Sequence, residues 1–155
     1  LTEDGATDTY TLVLTSQPAT NVTVVIAADA QLSAAPAPVV FTPATWDRPQ
    51  MVTLTAVDDA VAEGSHIGSI SHSVTSTDTD YNSLNVSGVT ATIADNDIAG
   101  FTVTPTSGLI TTEAGGTADF TVRLTSQPTA NVILGVSSND ASEGTAAPAT
   151  LTFTS

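Results

Sequence analysis

Asp95-Asn96-Asp97 closes an alternation of Val89, Ala91 and Ile93, and Phe101 and Val103 open another alternation almost at once. Asp58, Asp59 and Glu63 sit together in "DDAVAEG" (58–64), and Glu3 and Asp4 in "TEDG" (2–5). Clustered carboxylates are hard oxygen donors, and the chemistry open to them is cation binding or paired acid–base work. The chain carries 16 Asp and Glu against Arg48 and Arg123, with no Lys, for a formal charge of −14. Two carboxylates 4 Å apart repel by about 1 kcal/mol in water and about 4 kcal/mol at an effective dielectric near 20. Six around one point need a counter-charge. Ca²⁺, with six to eight oxygen ligands in irregular geometry, suits loop carboxylates better than Mg²⁺, which demands a strict octahedron. Dispersed along the surface, the same acids would be solvated turn formers. The question is whether the fold gathers them.

The elements that must position them read as strands. Residues 9–15, 22–28, 39–42, 51–57, 66–76 and 86–94 alternate apolar and Thr or Ser positions and are bounded by Pro, Gly, Asp and Asn. No window of useful length carries a helical period. The expected fold is all-β: an Ig-like antiparallel β-sandwich of two sheets. Its core should draw on Tyr10, Leu12, Leu14, Val24, Ile26, Val52, Leu54, Ile93, Phe101, Val103, Phe120 and Leu124, with Thr facing water. In an antiparallel array the connections alternate between two ends. The segment before 9–15, the loops after 22–28 and 51–57 and the exit from 86–94 then share one end. Glu3, Asp29, Asp58, Asp59, Glu63, Asp95 and Asp97 converge there, while Asp47, Asp78 and Asp80 fall at the other.

The chain repeats itself. "TEDGATDTYTLVLTSQPATNV" (2–22) returns as "TEAGGTADFTVRLTSQPTANV" (112–132) at an offset of 110, and "VVFT" (39–42) as "LTFT" (151–154) at 112. A period of about 110 residues is one sandwich-sized domain rather than a solenoid repeat. The expected division is a first repeat over 1–97 lacking its opening strand, and the first half of a second over 98–155. The absent strands are expected from the rest of the parent chain, or from a neighbouring chain by strand exchange.

Several functions are disfavoured. So acidic a chain is repelled by nucleic acid and by anionic membrane surfaces. No run of about 18 apolar residues is present to span a bilayer. Cysteine is absent, which removes thiol chemistry and thiolate metal sites. No Gly-x-Ser-x-Gly elbow occurs, and Trp46 is the one Trp available to stack on sugar. "DTDYN" (78–82) begins like a calcium loop but lacks its Gly and closing Glu, and reads as a turn. His66 and His72 share a parity, but six residues place them roughly 20 Å apart along a strand. His72, between Ile70 and Val74, reads as a hydrogen-bonded core histidine.

The acidic residue before 9–15, "DDAVAEG" after 51–57 and "DND" after 86–94 together resemble the Calx-β domain family. The resemblance covers nearly all of 1–97 and half a copy beyond. It implies an Ig-like sandwich that binds calcium at the acidic end, with Glu3, Asp58, Asp59, Glu63, Asp95 and Asp97 as ligands. Calcium-binding members carry a second Glu three residues beyond the position of Glu63. Here that residue is His66, a poor calcium ligand, and the middle of the closing triplet is Asn96. Both departures imply fewer ions or weaker binding. The expectation is a non-catalytic structural repeat of an extracellular or cell-surface adhesin- or filament-like protein, stiffened by calcium between repeats. The alternative is a carbohydrate- or protein-binding module using the loops around Trp46.

Overall fold

The structure, a computed structural model, describes all of residues 1–155. It contains strands and no helix, so no helix is long and apolar enough to cross a membrane. Every strand pair is antiparallel. The chain divides into two compact units, Leu1–Asp59 with Glu63–Asn96, and Ala60–Ala62 with Asp97–Ser155.

The first unit has seven strands: β1 (Thr7–Leu12), β2 (Val22–Ala28), β3 (Leu32–Ala35), β4 (Val39–Phe41), β5 (Gln50–Ala56), β6 (His66–Ser76) and β7 (Val89–Ile93). They form two sheets, ordered β1-β5-β3 and β4-β2-β6-β7. The period of two decides which side chains meet. Val52, Leu54 and Ala56 of β5 turn inward between Met51, Thr53 and Thr55, and face Val22, Val24 and Ile26 of β2 with Ile70 and Val74 of β6. Phe41 and Ile93 are fully buried. Each such side chain contributes about 1.5–3 kcal/mol of transfer free energy. Gly68 on β6 is a packing requirement, because a Cβ there would lie 2.5 Å from Leu32 Cγ.

Two features depart from the expected strands. Leu32–Ala35 is a strand, pairing Leu32 with Ala56 and Ala35 with Thr53. The first residues also pair: the Glu3 N–H donates to the Ala94 carbonyl (3.2 Å), the Ala94 N–H donates to Leu1 (2.9 Å), and Thr2 forms a parallel bridge with Ala94. Tyr10, Leu12 and Leu14 are partly buried at the rim of the core rather than within it.

The second unit has four strands in two hairpin-sized sheets, β8 (Phe101–Thr104) with β9 (Thr121–Leu124), and β10 (Val132–Gly135) with β11 (Thr150–Phe153). The pairing Val132↔Phe153 and Leu134↔Leu151 has the register of Val22↔Phe41 and Val24↔Val39 in the first unit. The turns Thr2–Gly5 and Thr112–Gly115 also match, with φ of +95° at Gly5 and +91° at Gly115. Two-stranded sheets cover little apolar surface. Phe101, Val103 and Phe120, expected in a core, are therefore about half-exposed, although Phe101 meets Phe153 edge-on at 6.3 Å. The Ile98–Gly100 segment is tied within this unit: Thr125 donates through Oγ1 to the Ile98 carbonyl and through its N–H to that of Gly100. Ala60–Ala62 also group here, the Ala60 carbonyl accepting the Gln127 N–H (2.6 Å).

Candidate metal centre

β2, β5 and β7 end, and β6 begins, at one pole of the first unit. Asp95 lies two residues beyond the end of β7. Its Oδ2 accepts the backbone N–H groups of Glu63 and Gly64, both at 2.6 Å. Gly64 adopts φ +69°, a left-handed conformation that glycine enters without a Cβ clash. The loop after β5 is thereby clamped to the exit of β7, and the clamp carries charge-assisted hydrogen bonds.

Glu3 lies beside it, brought there by the parallel pairing of Leu1–Glu3 with Ala94. The residue is 2% exposed, and neither carboxylate oxygen makes a hydrogen bond. Burial raises its pKa above the ordinary carboxyl value, and the Asp95 carboxylate pushes the same way. The Asn96 backbone N–H and His66 pull it down, and Asp59 adds a further upward push. The Asn96 amide lies close enough to act on the charge, yet forms no bond of normal geometry. A buried carboxylate without a donor is costly, and native structures rarely leave one so.

His66 opens β6 on the inward parity. Its Nδ1 lies 2.9 Å from the Gly64 carbonyl. A carbonyl only accepts, so Nδ1 carries the proton and donates. Nε2 then faces Glu3 Oε1 at 3.6 Å and Glu63 Oε2 at 3.7 Å, buried and without a hydrogen bond. The Gly64 carbonyl raises the His66 pKa most and Glu63, Glu3 and Asp95 add to this, against burial. Glu63 is held by Gln31, whose Nε2 donates to Oε2 at 3.0 Å. Gln31 is itself placed by Asp29, which accepts the Gln31 N–H on Oδ1 and the Ser69 N–H on Oδ2.

Glu3, Glu63 and His66 each offer one ligand atom, all within 4.8 Å of one another, and Glu3 and Asp95 offer oxygens equally close. Asp58 stands one link further out, exposed, accepting the Asn96 Nδ2 at 3.2 Å. Asp59 is exposed and acts on Glu3 through its charge. Asp97 is half-buried and opens the second unit. Of the acids expected to converge, Glu3, Glu63 and Asp95 thus share one centre within the first unit. Asp29 serves as a staple, and His66, set aside as a poor ligand, belongs to the centre. The spacing Gly64-x-His66 was the available signal, since it lets an imidazole reach back to a carbonyl two residues earlier.

Elsewhere no buried side-chain polar atom lacks a hydrogen bond. His72 Nδ1 donates to the Ser87 carbonyl (2.8 Å), so Nε2 accepts from the Tyr10 hydroxyl (2.8 Å). Asp78 folds the 78–82 turn, accepting the Asp80 and Ala19 N–H groups. Against protein-family models, curated proteins and solved structures, the chain matches none.

Proposed function

We propose that the chain is a non-catalytic structural segment of tandem Calx-β-like repeats from an extracellular or cell-surface protein, with Ca²⁺ bound at the acidic pole of each repeat. The observation that carries this reading is Glu3: a carboxylate 2% exposed, both oxygens lacking a hydrogen bond, beside further carboxylates. A cation supplies the counter-charge that this arrangement lacks. Arg48 and Arg123 are the chain's two basic residues, and neither forms an ion pair. With Asn96 and His66 in place of carboxylates the ligand charge is modest. That suits the binding range of extracellular calcium modules, about 10⁻⁴–10⁻³ M.

The repeat reading rests on the offset of 110 residues, the shared register of Val22↔Phe41 and Val132↔Phe153, and the matched glycine turns. The division of strands into β1-β5-β3 and β4-β2-β6-β7 supports an Ig-like assignment for the first unit. Neighbouring repeats are the proposed partners, and the half-exposed Phe101, Val103 and Phe120 are surfaces that added strands would cover. Residues 97–100 are all that separate the acidic pole from β8. An ion that immobilises the exit of β7 shortens the free part of that link, and so stiffens the array.

The test is thermal melting and small-angle scattering of the full chain with calcium and with chelator. Calcium at 100 times its dissociation constant adds about 2.7 kcal/mol of stability. Asp95→Asn, which keeps an acceptor but removes the charge, is expected to erase most of that gain. Identical melting and identical maximum dimension in calcium and in chelator overturn the reading.

A further inference from the structure

We propose that Glu3, Glu63 and His66, within this same centre, form a site that takes a borderline divalent ion of the Zn²⁺ or Co²⁺ class through His66 Nε2 and one oxygen of each carboxylate. The inference rests on the pole being a cation site but not on the cation being calcium.

The donor set decides the class. Calcium takes oxygen, whereas an imidazole nitrogen with two carboxylates suits zinc and its neighbours. The tautomer is already the ligating one: Nδ1–H is committed to the Gly64 carbonyl, which leaves the lone pair on Nε2. Zinc-binding histidines almost always carry such an outer hydrogen bond, to a carbonyl or carboxylate. That lone pair is buried and unsatisfied, and so are both oxygens of Glu3, toward which it points.

The separations also fit. Ligands at about 2.0–2.1 Å from a tetrahedral Zn²⁺ stand about 3.4 Å apart. His66 Nε2 lies 3.6 Å from Glu3 Oε1 and 3.7 Å from Glu63 Oε2, close to that separation, and all three ligand atoms lie within 4.8 Å of one another. Gln31 fixes the Glu63 carboxylate from outside, as an outer hydrogen bond fixes many ligating carboxylates. Glu63 is the most exposed of the three and marks the solvent side, where water completes the tetrahedron. Two carboxylates cancel the charge of the ion. The competitor for Nε2 is a proton, which makes His66 an imidazolium between two carboxylates.

The experiment uses the full chain stripped by chelator, in calcium-free buffer at pH 7.5, titrated with Zn²⁺ or Co²⁺ alone. Expected are one tight equivalent, visible Co²⁺ bands of tetrahedral intensity, and displacement of the His66 Nε2 resonance by Zn²⁺ with the His72 resonances unmoved. His66→Gln is expected to weaken Zn²⁺ by about 100-fold or more, and Gln31→Ala by about 10–100-fold, the usual cost of an outer partner. The His66 resonance reads the site in the unaltered chain, so the outcome does not depend on the variants folding. Zn²⁺ binding that leaves His66 unmoved, or a His66 that responds only to pH, overturns the proposal. A chain indifferent to calcium but with His66 shifted by one equivalent of Zn²⁺ upholds it and removes the calcium reading. The reverse pattern removes this proposal alone.

Discussion

His66 Nε2 lies 3.6 Å from Glu3 Oε1, a buried base facing a buried acid without a hydrogen bond between them. Both pKa values are raised, Glu3 chiefly by burial and His66 chiefly by the Gly64 carbonyl. The pair therefore gives the metal-free protein an unusual pH response. A raised folded-state pKa means that the folded form holds its proton more tightly than the unfolded chain. For Glu3 the stabilisation is complete below the ordinary value of 4.5 and is lost as pH rises through the raised one. For His66 it is complete below 6.5 and is lost in the same direction. In chelator, the melting temperature is expected to fall as pH rises from about 5 to 8. With saturating calcium it is expected to rise instead, because protons then compete with the ion. Parallel profiles in the two buffers remove the link between these groups and a cation.

Replacing Glu3 separates charge from shape. Glu3→Gln keeps the volume and adds a donor able to meet the Asp95 carboxylate or His66. The metal-free variant is expected to melt above the parent at pH 7, by about 4–8 °C for each kcal/mol gained. Its response to added divalent ions should be lost. Differential scanning calorimetry in chelator and in calcium checks both parts.

Gly64 tests the clamp. Its φ of +69° costs a residue with a Cβ about 1–2 kcal/mol. Gly64→Ala is therefore expected to lower stability by that amount and to weaken the grip of the loop on Asp95. Gly144→Ala, at a position without positive φ and with nothing within 4 Å of the added Cβ, is the control and should change little. Urea unfolding with a constant slope distinguishes a loss of stability from a change in compactness.

Phe41 and Phe153 hold the same place in two hairpins, paired with Val22 and Val132. Phe41 is wholly buried between two sheets, and Phe153 is half-covered. Phe41→Ala is expected to cost about 3–5 kcal/mol, a large share of the stability of a domain this size. Phe153→Ala should cost much less. Hydrogen exchange should follow suit, with β2 and β6 amides protected longest and β8–β11 exchanging sooner. Equal costs for the two Phe substitutions contradict this account of burial.

Much of the first unit was legible because its strands alternate cleanly. Val52, Leu54 and Ala56 against Thr53 and Thr55 admit one reading, and β5 follows it. Leu32-Ser33-Ala34-Ala35 was not legible as β3, since small residues ahead of two prolines look like a loop and only pairing to β5 makes them a strand. Phe101, Val103 and Phe120 show the opposite failure: alternation marks the inward face but not whether anything lies opposite. The acidic pole was legible from antiparallel connectivity, which brings Glu63 and Asp95 together, whereas the parallel pairing with Ala94 that seats Glu3 beside them was not. For the part of His66 the Gly64-x-His66 spacing was the one signal, and it is easily missed because the Nδ1 bond to Gly64 depends on backbone course rather than on any periodic pattern.

The pairing of Leu1–Glu3 with the end of β7 has a mechanical consequence. The two segments run side by side in the same direction. Tension drawn backward through Thr2 and forward through Asn96 therefore slides them along one another. The two Ala94 hydrogen bonds, to Leu1 and from Glu3, are then loaded together in shear rather than peeled apart in turn. Resistance to such a pull is set by the unfolding rate, not by equilibrium stability. An ion gripping Glu3 on one segment and Asp95 on the other would act across the same sliding surface, fastening the domain where a stretched chain would otherwise begin to give.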